Sequence, residues 1–369
     1  MKSSTRITLF ISVLVSLMLV KPAFSACSFA ADSPLQNMVT TTAPLLGGNI
    51  TVGPDNADGF TVYRQTYAPT FPSVKVQCDA NGPFYTSNVL KNIPLPLSPW
   101  NTGAYAGKVY ETGVPGIGVV FWYNGQGFPL TRPGGCTSST VNTCSLQSSN
   151  LTWDFSFIKI GPITPGVILG SKLPCVVAGV GQSGSSVDMT QVCFSGALNV
   201  VSQTCVTPDV NVSMGNFDVN ANFNAVGATT PWKDASIVLT NCPRFYGTIN
   251  TLRETFYSDD GTFGVATPKN NTITLSLTPN TPIINAGQGI LSIKSTSNSA
   301  SGVGIQMAYG NIGDASPALI NFSNLKSYTM VNNTVTTLKL PLVARYIQTE
   351  SLVSPGRADA TVTFTINYY

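Results

Sequence analysis

From Ala358 onward the sequence keeps one periodicity to its last residues. Ala358, Ala360, Val362, Phe364, Ile366 and Tyr368 alternate with Thr361, Thr363, Thr365 and Asn367, and Arg357 and Asp359 extend the polar set upstream. Period 2 over more than ten residues predicts a half-buried β-strand, because successive side chains of an extended chain point to opposite faces. A strand of this quality at the end of a sequence poses a pairing problem: its outer edge needs a neighbour that the residues after it do not supply.

The rest of the composition agrees with an all-β chain. There are 33 Gly and 25 Pro among 369 residues, and only 9% of the residues are charged. Gly and Pro interrupt most windows in which a helical period might run, and β-branched residues are abundant. The amino terminus reads as a secretory signal: Lys2 and Arg6 precede the apolar run Ile7–Val20, and Ala23 and Ser25 set a small-residue cleavage site before Ala26. No later stretch is long and apolar enough to predict a membrane span. Of 19 basic residues, Lys2, Arg6 and Lys21 belong to the signal, which leaves 16 against 16 acidic ones. A neutral exported chain has no electrostatic reason to bind nucleic acid.

Eight cysteines follow the signal: Cys27, Cys78, Cys136, Cys144, Cys175, Cys193, Cys205 and Cys242. An even count in an exported chain predicts four disulfides, and sequential pairing, which closes local loops, is the preferred one of 105 connectivities. The sequence has no histidine. That removes Ser-His-Asp and Cys-His catalysis and His-based zinc sites. Asp58, Asp79, Glu111, Asp154 and Asp188 show no evident pairing and read as surface solubilisers. No enzyme activity, metal or cofactor is expected.

The sequence repeats itself weakly. Val74-x-Val76-x-Cys78 has a counterpart in Ile237-x-Leu239-x-x-Cys242. Downstream, Gly116-Ile117-Gly118-Val119 has one in Gly302-Val303-Gly304-Ile305. Two matches in the same order predict two β-sandwiches of related design, with a junction just before Cys205. The expected organisation is a signal peptide at 1–25, a first domain at 26–203 and a second at 204–369.

The second half resembles the pilin domain of the type 1-like chaperone–usher fimbriae of Gram-negative bacteria. The resemblance rests on Cys205 and Cys242, on Gly302-Val303-Gly304-Ile305-Gln306, on Pro341-Leu342-Val343-Ala344-Arg345-Tyr346, and on the ending, with Gly356 fourteenth from the end and Tyr368 penultimate. It implies two immunoglobulin-like sandwiches, the C-terminal one lacking its last strand. The missing strand is then lent by a periplasmic chaperone at an outer-membrane usher and later by the donor strand of the next subunit. Gly356, Val362, Phe364, Ile366 and Tyr368 are expected to line the shared groove. About 180 additional residues before Cys205 give the layout of a two-domain tip adhesin, exported through the periplasm to the fimbrial tip. Val109-Tyr110-Glu111-Thr112-Gly113-Val114-Pro115-Gly116-Ile117-Gly118 resembles a segment of several fimbrial adhesins.

A host glycan is the expected receptor, and end loops bearing aromatics and amides are where it is expected to bind. The candidates are Trp100, Asn101 and Tyr105 in one loop, Tyr123 and Asn124 at an Asn-Gly turn, Arg132, and Asn142 within the short Cys136–Cys144 segment. Trp122 and Tyr123 should face opposite sides, so that only one is core. The alternative is a minor structural subunit whose first domain binds protein, either extracellular matrix or other fimbrial subunits.

Overall fold

The computed structural model describes residues 26–369, so the expected signal peptide lies outside the described residues. Strand accounts for 44% of the structure. All eight cysteines are paired, as Cys27–Cys78, Cys136–Cys144, Cys175–Cys193 and Cys205–Cys242. Sequential pairing thus holds, and no bridge joins the two halves.

The first half is a sandwich of two main sheets. In one, Leu130–Pro133, Tyr85–Lys91, Cys175–Gln182, Ser185–Ser195 and Val39–Pro44 lie side by side. In the other, Thr61–Tyr67, Trp153–Lys159 and Ile117–Tyr123 are central. Between them Phe121, Trp153, Phe155, Phe157 and Phe194 interlock with ring centroids 4.9–6.4 Å apart. Edge-to-face and tilted contacts of this kind add to the burial of the rings. A smaller core around Phe71, Val76, Leu146 and Met189 closes the end that holds Cys27 and Cys78.

The second half packs Ile237, Leu275, Leu291, Ile305, Leu340 and Leu342 between two sheets. One contains Val303–Tyr309 and Leu342–Gln348. The other is Lys326–Met330, Asn271–Pro279 and Val362–Tyr368, in that order. One of the two repeated motifs meets the same steric demand in both halves. Gly116 and Gly302 open equivalent strands with φ of +83° and +72°. A Cβ there would stand 2.2 Å from the Pro162 carbonyl oxygen and 2.0 Å from that of Leu352. Only glycine fits either position.

One expectation needs correction. The C-terminal strand is shorter than its alternation: it begins at Val362, and residues 355–361 run as a loop held by bridges Ser301–Ser354 and Ser299–Arg357. The halves also meet away from the junction expected just before Cys205. Residues 247–269 of the second half form an arm, paired at its base by Thr248–Lys269 and near its tip by Phe256–Gly264 and Tyr257–Phe263. This arm lies along Thr61–Tyr67 and extends the sheet of the first half. Ile249 pairs with Tyr63, and Phe256 and Tyr257 pair in parallel with Thr66 and Tyr67. Ile249 and Ala266 are buried in the first half's core.

Candidate functional site

The register of the terminal strand shows what its edge offers. Thr363, Thr365 and Asn367 stand opposite Thr278, Ser276 and Thr274. At both ends of this ladder, odd-numbered residues exchange the backbone bonds: Asn280 N donates to Thr361 O, and Tyr369 and Thr272 bond reciprocally at 2.8 and 2.9 Å. In an antiparallel pair the intervening residues turn their N–H and C=O groups away. Val362, Phe364 and Ile366 therefore present these groups to an edge on which no described strand pairs. Their side chains, half-buried, pack on the core.

Beside that edge runs a cavity of about 820 Å³. Leu277, Leu291, Ile305, Met307 and Leu342 are among the core residues that reach it, and Gly356, Val362 and Phe364 line one flank. On the other flank lies an extended segment outside any ladder, whose Val210, Val212 and Met214 alternate into the core. The arrangement is an apolar trough bordered by a bare backbone edge. Gly356 is required by close approach: a Cβ there would meet Ala300 N at 2.4 Å.

Two of the five expected groove residues sit elsewhere. Ile366 packs on the core outside the cavity lining. Tyr368 is buried at 4% exposure, stacks on Phe245 with centroids 6.4 Å apart, and accepts a hydrogen bond from Cys205 N. Burial raises its phenol above the usual range. Its backbone is also occupied. Tyr368 N donates to Asp55 Oδ2 at 2.7 Å, and Tyr368 O accepts from Asp55 N at 3.1 Å. Asp55 thus caps the open edge from the first half, a role that no sequence signal announced.

The first-half candidates fall into three places. Trp100 and Tyr105 pack over the outer face of the Ile117–Tyr123 sheet, against Trp122, Val109, Val120 and Ile158; Asn101 is exposed in the same loop. Tyr123 packs on the opposite face against the main core, and Asn124, with φ of +46°, turns the chain beside Gly125. Arg132 stacks on Tyr123 with its guanidinium carbon 3.8 Å from the ring centre, and it donates to Asn88 Oδ1 at 2.9 Å. Asn142 is in the turn that closes Thr140–Thr143, and its carbonyl accepts from Cys78 N. The structure therefore does not gather these residues into one pocket.

Trp122 and Tyr123 do face opposite sides, yet both are packed. Trp122 is 7% exposed, under the Trp100–Tyr105 loop, with Arg64 5.0 Å from its ring. Beneath the same loop Asp154 is 4% exposed, which corrects its reading as a surface acid. Thr66 Oγ1 donates to it at 2.5 Å. Burial raises its carboxyl above the ordinary range, while Thr66, Arg64 and Arg253 draw it back.

Residues 192–369 match the family model described as fimbrial protein. Over 331 residues, 87% of this chain and 89% of its relative, the sequence is 25% identical to a fimbria adhesin protein of Klebsiella pneumoniae. Among solved structures, the CupB6 tip adhesin of Pseudomonas aeruginosa aligns over 92% of this chain and 95% of its own at 17% identity and TM-score 0.31. A type I fimbria protein of Burkholderia pseudomallei aligns over 45% of this chain and 90% of its own at 23% identity and TM-score 0.28. The terminal strand with its open edge lies inside the matched segment: residues 192–369 match the fimbrial protein family, and over most of its length the chain is similar to a fimbria adhesin protein.

Proposed function

We propose that this adhesin stands at the fimbrial tip, attached by donor-strand complementation of residues 204–369, while residues 26–203 carry receptor binding toward a host glycan. The observation that carries the attachment is the pairing of the bare Val362–Ile366 edge with the adjoining apolar trough. An extended partner with alternating apolar side chains satisfies both at once: its backbone completes the ladder and its side chains enter the cavity. The periplasmic chaperone delivered to the usher, and then the next subunit, are partners of that form. If about five apolar side chains enter, at roughly 1.5–3 kcal/mol each, the gain is roughly 7–15 kcal/mol. That equals the whole stability of an ordinary domain, about 5–15 kcal/mol, so a domain left open should not persist alone. Passage through the periplasm to the extracellular fibre end follows from this assembly route. The glycan reading of the first half rests on a rigid, disulfide-closed sandwich whose far end is rich in hydroxyls and amides.

The test is a donor strand fused after Tyr369 through a flexible linker. We expect the fused chain to be recovered without a chaperone and to melt more than about 15 °C above the unfused one, given 2–4 °C per kcal/mol at this size. A chain whose recovery and melting are indifferent to the added strand has a complete second sandwich, and the attachment reading fails.

A further inference from the structure

We infer that a neutral sugar binds in a trough at the end of the first half that holds Cys27 and Cys78, walled by Tyr85 and by the turn Gln182–Ser186. This rests on the glycan reading above and gives it a place and a ligand class. The cavity measures about 390 Å³, within the range of small-molecule sites, about 300–1,000 Å³.

Register fixes where it lies. Tyr85 stands opposite Gly181, and Gly181 opposite Ser186. Ser87 stands opposite Thr131. The other ends of these strands lead toward the second half: Ser195 O accepts from Leu45 N, and two residues beyond Leu45 the Gly47 Cα lies against Ile249 of the arm. The trough therefore lies at the strand ends opposite those that lead to the base of the arm and the junction before Cys205.

Its shape follows from a missing side chain. Gly181 sits between Tyr85 and Ser186 on one sheet face, and a Cβ on it would stand 2.1 Å from Ser185 O. Glycine there lets the following turn fold over the strand and leaves the Tyr85 ring as a wall. The turn is held before any ligand arrives. Ser185 Oγ accepts from Cys27 N at 2.9 Å, next to the Cys27–Cys78 bridge, and Gln182 Nε2 donates to Gly82 O and Val141 O at 3.2 and 3.4 Å. Pre-ordering of this kind lowers the cost of binding.

The lining is chemically consistent. It offers one aromatic ring and the hydroxyls of Ser87, Thr131, Ser183 and Ser186, with no carboxylate, ammonium or guanidinium. An aromatic face for the C–H side of a pyranose, ringed by groups that both donate and accept, suits an uncharged polyol. An anionic sugar would find no countercharge here.

The full chain is tested on an array carrying neutral glycans and their sialylated and sulfated forms. Tyr85→Ala and Ser186→Trp are compared with Trp100→Ala, and melting is followed for each. We expect neutral glycans to bind, Tyr85→Ala to weaken them about tenfold or more, and Ser186→Trp, which fills the trough, to abolish binding without lowering the melting temperature; Trp100→Ala should leave binding intact. Glycan binding that survives both trough variants, or that is confined to acidic glycans, overturns this site and leaves the glycan reading standing. A wild-type chain that binds no glycan overturns the reading and the site together, and retained binding to deglycosylated matrix protein then selects the protein-binding alternative.

Discussion

Thr61–Tyr67 in the first half and Val362–Tyr368 in the second are both strands that end their own half's sheet. The first is covered along its length. Arg64 N and Thr66 N donate to Ile249 O and Thr255 O, Ala68 N donates to Tyr257 O, and Ile249 closes the core behind them. The second is covered only at Tyr368, by Asp55, and the remainder borders a cavity. One edge is completed by a segment of the same chain, which is always present. The other has no described strand along Val362–Ile366 and is, on the proposed function, completed by a segment from another chain. The physical chemistry of the two edges is alike; what differs is who supplies the neighbour. On the proposed function, the half assigned to binding is stable by itself while the half assigned to attachment depends on a partner.

The largest effect that would sharpen this contrast is Phe364→Asp in the chain bearing a fused donor strand. A charge entering the apolar trough should cost about 4 kcal/mol or more in chemical denaturation. Thr363→Asp, whose side chain is exposed on the opposite face, should cost less than about 0.5 kcal/mol. Equal losses would mean that the alternation does not separate trough from solvent. Next is Ile249→Ala, expected to cost about 2–4 kcal/mol. Although Ile249 follows Cys242 in sequence, the lost protection in amide exchange should appear at Arg64 and Thr66. Loss confined to residues beyond 270 would break the comparison, because the arm would then not complete the first edge.

The smallest effect is one of pH at Asp154. Because burial raises its folded pKa, the folded chain holds that proton more tightly than the unfolded chain. Stability should fall as pH rises from the ordinary aspartate value through the raised one, and stay lower above it. Asp154→Asn should therefore gain on the wild type at neutral pH and match it in strong acid, as read from denaturation midpoints across pH. A constant offset would show that the carboxyl is not held in a desolvated site.

What the sequence disclosed was mostly local. Alternation gave the faces of Val362–Tyr368, and the paired Gly-x-Gly motifs gave two strands that do equivalent work. Asn124-Gly125 gave its turn. What it hid depended on contacts between distant segments. Trp153-Asp154-Phe155-Ser156-Phe157 alternates as a strand with one wet face would, yet every residue of Trp153–Lys159 is buried, because the Trp100–Tyr105 loop roofs the polar face. The arm was illegible because its strands are two residues long, too short for any period. Tyr368 was expected in the groove from the resemblance of the ending, in which it is the penultimate aromatic; Asp55 and Cys205, far away in sequence, decide where it sits. The first-half candidates were chosen as exposed aromatics and amides, and most proved to be packed, while the trough depends on a glycine and several serines that carry no distinctive signal.

The arm also fixes how the two halves can move. The chain passes between them three times: from Val201, whose carbonyl accepts from Val52 N, to Cys205; from Phe245 to Ile249; and from Ala266 back to Asn271. Two bodies joined by one tether can twist about it, as beads do on a string. Joined by three strands of the same chain at separate points, they lose that swivel. A torque or sideways drag on the first half is then carried by several segments in parallel, and bending at the waist requires peeling the arm from Thr61–Tyr67 first.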